Sequence, residues 1–112
     1  MQINMCRYQT LYHNDRIGYA IRCEECAKIQ VAYSNLVITF ERNDFETFHT
    51  WIKKIRVNQH EPAWPNVRSI MISSPCQGIQ LLLSYNELND LCTMLDETDT
   101  ELQSLELLKL FE

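Results

Sequence analysis

Apolar and polar residues alternate in short runs through residue 40 and then switch to intervals of three and four. Alternation marks half-buried strands, and the longer interval marks an amphipathic helix. Residues 7–12 and 18–22 read as the two strands of an N-terminal hairpin turning through His13-Asn14-Asp15-Arg16, since Asn and Asp tolerate tight-turn backbone. Residues 29–33 place Ile29, Val31 and Tyr33 on one face. Residues 36–40 do the same with Leu36, Ile38 and Phe40, after a Ser34-Asn35 turn. A helix follows, with Phe45, Phe48, Ile52 and Ile55 as its stripe. Asp44 and Glu46 stand in its first turn and Lys53, Lys54 and Arg56 in its last, complementing the helix dipole.

An extended link containing Pro62-Ala63-Trp64-Pro65 leads to strands at 67–72 and 79–83 around a Pro75/Gly78 turn. Ser84-Tyr85-Asn86-Glu87 is a capping box and opens a second helix with the stripe Leu88, Leu91, Cys92 and Leu95. Thr98-Asp99-Thr100-Glu101 matches the same signature and predicts a third, C-terminal helix. The apolar residues of that helix, from Leu102 through Leu105, Leu107, Leu108, Leu110 and Phe111, predict a tuck against the sheet or a subunit contact.

A shift of 43 positions lays residues 36–52 onto 79–95: Phe40 on Leu83, Phe45 on Leu88, Phe48 on Leu91 and Ile52 on Leu95. The pattern predicts a single α+β domain over 1–112: an N-terminal hairpin and Cys-x2-Cys turn (1–28), two pseudo-repeated β-hairpin–helix units (29–56 and 67–97) and a C-terminal helix (98–112). The expected arrangement is one joined antiparallel sheet with both helices on one side.

Composition narrows the function classes. The chain has 112 residues, 46% hydrophobic, with two glycines and three prolines, which supports one core and disfavours disorder. No apolar run is long enough for a membrane span. The first residues lack a basic segment before an apolar one, so no export signal is expected and the cytoplasm is the expected location. Residues 1–60 hold eight basic and six acidic side chains; residues 61–112 hold two and nine. That acidic second half disfavours extended nucleic-acid binding, which requires cations against phosphate.

Five cysteines without an export signal favour a metal site or buried thiols over a disulfide framework. Cys23 and Cys26 can chelate one zinc ion from a tight turn, with Cys6 as a third thiolate and His13 as the fourth ligand by sequence order. Cys76, His49 or His60 are substitutes for His13. The same pair admits a redox reading, but Glu24 and Glu25 between the thiols raise their pKa, and a strand rather than a helix is expected next. Cys92 on the second helix stripe reads as core. His49 occupies the matching position and reads as packed. Gly18 and Gly78 cannot build a phosphate-binding glycine loop, and no nucleophile–base–acid set emerges. Trp64 is expected to fold over a core edge, with an exposed partner anchor as the alternative.

The run Met5-Cys6, Gly18-Tyr19, Cys23-x2-Cys26 and Ile29 to Tyr33, followed by a strand and a Phe-rich helix, resembles a family of small uncharacterised cytosolic proteins found mainly in Bacteroidota. The resemblance is close over roughly the first half of the chain and implies no assigned activity. Three readings stand: a non-enzymatic binding or adaptor domain with a structural zinc, a thiol-dependent redox or regulatory protein using Cys23 and Cys26, and a metal-free structural dimer. Each partner expected is a second copy or another protein, with no membrane and no small-molecule substrate.

Overall fold

The computed structural model describes residues 7–112. Its elements run β1 (Tyr8–Asn14), β2 (Gly18–Cys23), β3 (Ile29–Tyr33), β4 (Leu36–Phe40), α1 (Arg42–Val57), β5 (Ile70–Ser73), β6 (Gln80–Leu83) and α2 (Tyr85–Lys109). The fold is α+β. The first four strands form an antiparallel meander in the order β1-β2-β3-β4, and β5 and β6 form a separate two-stranded ribbon.

Strand alternation sets the inner faces. Ile29, Val31 and Tyr33 of β3 are buried, while Gln30 and Ala32 face the other side. In the ribbon, Ile70 pairs with Leu83 and Ile72 with Leu81 toward the core, leaving Met71 and Leu82 paired on the outer face. One core cluster joins residues from both sheets and both helices. Helix α2 packs against β1, β2, β6 and α1 and is the element common to these contacts.

Two sequence expectations need correction. The strands do not merge into one antiparallel sheet: the ribbon stays apart and is joined to the four-stranded sheet through side chains of the core and α2. The order hairpin then helix does occur twice, as β3-β4-α1 and β5-β6-α2. The second and third helices are one continuous helix. Leu88, Leu91, Leu95, Thr98, Leu102 and Leu105 fall at intervals of three and four, so a single stripe runs through the supposed boundary. Thr98 is fully buried, and its hydroxyl donates to the Met94 carbonyl at 2.7 Å instead of capping a new helix start. The capping box at Ser84 is real: its hydroxyl accepts from the Glu87 N–H at 3.0 Å, and Glu87 accepts from the Ser84 N–H at 2.9 Å.

Salt bridges and one buried hydroxyl fasten α2 along its length. Arg16 is bidentate to Asp90 at 2.8 and 3.2 Å, and Arg68 meets Glu87 at 2.8 Å. Tyr33 donates its hydroxyl to the Glu87 carbonyl at 2.7 Å, and burial pushes its phenol pKa well up. The link after α1 runs over the surface, where Trp64 is 75% exposed, contrary to the expectation of a core-edge residue.

Gly18 lies close against the backbone of β3. Its φ of +146° disfavours a side chain, and a Cβ there would lie 2.0 Å from the Ala32 carbonyl oxygen. Gly78 has φ +84° but open space around it. Gly18→Ala is therefore expected to cost more than about 3 kcal/mol in urea unfolding, and Gly78→Ala about 1 kcal/mol. Equal losses would remove the steric explanation.

Candidate functional site

The Cys-x2-Cys segment forms the connection from β2 to β3. The Cys23 N–H donates to the Lys28 carbonyl at 2.9 Å, and the Ala27 N–H donates to the Cys23 carbonyl at 2.8 Å. The loop is thereby closed across six residues, with the thiols at its first and fourth positions. Ala27 takes a left-handed φ of 62°, a conformation costing a non-glycine residue roughly 1 kcal/mol. The bend therefore persists against local preference, held by its hydrogen bonds.

Residue 7 ties the other strand to this loop. The Glu24 N–H donates to the Arg7 carbonyl at 2.8 Å, and the Arg7 N–H donates to Glu25 Oε2 at 2.9 Å. That Arg7 N–H, with a smaller contribution from the Cys23 thiol, holds the Glu25 carboxyl below its usual range against the opposing cost of desolvation. Cys23 is buried, and its Sγ donates to Glu25 Oε2 at 3.4 Å; Cys26 is exposed. The arrangement offers one soft donor facing inward, one facing solvent, and a carboxylate beside the inner one.

The remaining ligand candidates are scattered. Cys6 lies outside the described residues. Tyr8 pairs with Cys23 at one end of the β1–β2 hairpin, and His13 pairs with Tyr19 near the other. At the rise of an extended strand, His13 stands on the order of 15 Å from the loop. The structure does not bring it to the thiols; its Nε2 lies 3.5 Å from Asp15 Oδ1 at the turn. Cys76 sits exposed on the β5–β6 turn, and His60 is exposed beyond α1. Among the described residues, no three His, Cys, Asp or Glu side chains gather as a metal-ligand group.

A second polar cluster, not foreseen from the sequence, lies between α1 and α2. His49 Nε2 is 2.6 Å from Asp96 Oδ1, and its Nδ1 is 4.0 Å from Asp99 Oδ1. The Cys92 Sγ reaches Asp96 Oδ2 at 3.9 Å, and Arg42 bridges Glu106 at 2.9 Å and Asp99 at 3.8 Å. Burial, then the Asp96 charge, pushes the Cys92 thiol pKa up, which suppresses thiolate chemistry there. His49 and Cys92 do lie inside the helix pair, as their matching stripe positions suggest. His49 and Asp96 stand 47 positions apart in the sequence, which left their pairing without a local signal. An open polar cleft of about 830 Å³ at the start of α2 is lined by Arg16, Arg68, Glu87 and Asp90, whose charges already neutralise one another.

The chain belongs to a family of unknown function, DUF6686, matched over residues 5–112. Membership in an uncharacterised family agrees with the resemblance drawn from the sequence. No curated protein and no solved structure matches the chain. No helix among the described residues is long and apolar enough to cross a membrane.

The burial pattern gives a thiol-labelling expectation. A maleimide added to the native, metal-free protein modifies Cys26 and Cys76 first, and Cys92 only on unfolding. Modification of Cys92 at the same rate as Cys76, read by peptide mass mapping, would contradict the packing of the α1–α2 seam.

Proposed function

We propose that the protein is a non-enzymatic binding module, acting in a reducing compartment, whose N-terminal hairpin is pinned by a structural zinc ion at the Cys-x2-Cys loop. The observation that carries this reading is the closed loop itself: a strained Ala27 bend and four backbone-donated hydrogen bonds fix the loop between two strands. A loop whose backbone is held in advance binds metal with less ordering cost than a mobile one. Cys23 and Cys26 supply two thiolates, and Cys6, one residue before the loop-bound Arg7, supplies the third. The hairpin holds His13 at its far end, away from the loop.

The loop chemistry favours a structural role over a redox one. Strand β3, not a helix N-terminus, follows the pair, so no helix dipole acts on the thiols. The Glu25 carboxylate lies beside the Cys23 thiol, an arrangement that favours a divalent cation held between them.

Protein purified without chelators is expected to carry close to one zinc per chain by elemental analysis. Cys23→Ser and Cys26→Ser each lower this below about a tenth of an equivalent, and Cys92→Ser leaves it unchanged. Zinc is released as the pH falls, because protons compete for the thiolates. A wild-type content below about a tenth of an equivalent, with no uptake of added zinc, overturns the reading.

A further inference from the structure

Thiolates from Cys6, Cys23 and Cys26 leave one position of a tetrahedral zinc site to be filled. The loop carries a carboxylate where that fourth donor belongs. Cys23 Sγ and Glu25 Oε2 lie 3.4 Å apart. Two donors on one tetrahedral zinc ion, a sulfur at about 2.3 Å and an oxygen at about 2.0 Å, stand about 3.5 Å from each other. The pair is therefore already spaced as neighbouring ligands. An ion between them takes the place of the thiol hydrogen that joins them.

Glu25 is also oriented from behind. Its Oε2 accepts from the Arg7 N–H at 2.9 Å. Ligating carboxylates are commonly fixed by a hydrogen bond of this kind from outside the coordination sphere. A carboxylate offers about four lone-pair sites, so the bond from Arg7 leaves capacity for a metal. Arg7 directly follows Cys6, so the residue that orients Glu25 is the chain neighbour of the third thiolate. Glu24, the other acid of the loop, meets Arg7 through its backbone N–H.

We propose that Glu25 is the fourth zinc ligand, closing a site of three thiolates and one carboxylate with Cys6, Cys23 and Cys26. The assignment rests on the zinc reading and says how that site behaves. Its coordination sphere is full, as in structural zinc centres, with no position open to a substrate or an exchanging water. Zinc and the Arg7 N–H share one carboxylate, so metal occupancy and the attachment of the start of β1 to the loop are coupled.

Cobalt(II), whose visible spectrum reports its ligands, tests the assignment in the full chain, together with zinc affinity measured by competition with a chelating dye. The wild type is expected to bind one equivalent of either metal, and added azide leaves its cobalt spectrum unchanged because no position is open. In Glu25→Gln the amide oxygen still accepts from the Arg7 N–H, so the loop keeps its tie to residue 7. That variant binds zinc at least about tenfold more weakly, and azide shifts its cobalt spectrum. Glu24→Gln changes neither reading. A wild-type cobalt spectrum that azide shifts overturns the assignment without recourse to any variant, and places an exchangeable ligand at the fourth position. Unchanged zinc affinity in Glu25→Gln also overturns it, and loss of zinc from Cys23→Ser and Cys26→Ser in the same experiment leaves the thiolate reading standing. A wild type that takes up neither metal overturns both.

Discussion

A two-stranded ribbon cannot keep its apolar face from water by itself. The ribbon of β5 and β6 therefore depends on the stripe of α2, and so does the inner face of the four-stranded sheet. With 25 residues, α2 is about 37 Å long, enough to cross both. Its fully buried Leu88, Met94, Leu95 and Leu102 are each worth about 1.5–3 kcal/mol of burial. Its position is set at the start by the Ser84 capping box and Tyr33, and further along by the bridges from Arg16 and Arg42.

Two margins of the four-stranded sheet differ in how they are held. At one hairpin end, the Cys-x2-Cys loop is held by backbone bonds from residue 7 and within the loop, with little help from the core beyond Cys23. At the β4 edge, residues 34–36 and β6 line one small cleft, and Val37 is exposed on the outer face. The α1–α2 seam is different in kind. Its His49, Arg42, Asp96, Asp99 and Glu106 are engaged with one another, which orients the helices more than it offers a reactive group.

The parts of the fold set by local preference were legible in the sequence. The period-two alternation of β3 and β4 gave their limits at Ile29–Tyr33 and Leu36–Phe40, and the capping box located the start of α2. Thr98-x-x-Glu101 misled because a capping signature also arises inside a helix whose stripe continues, and only burial of Thr98 distinguishes the cases. Strand alternation says which face is buried but not which strands pair, so the separation of β5–β6 was not readable. At the candidate site, the Cys-x2-Cys spacing revealed the loop, but sequence order favoured His13, which hairpin geometry carries away from it. The link of Arg7 to Glu24 and Glu25 had no sequence signal, because it depends on strand register.

The central claim is that α2 makes the two sheets one cooperative unit. Native-state hydrogen exchange in increasing urea tests it most directly. The account predicts that the slowest amides of β3, of β6 and of α2 from Leu88 to Leu102 converge on one opening free energy. Exchange of β5–β6 through a separate, lower-energy opening, while β3 and α2 remain fully protected, would contradict it.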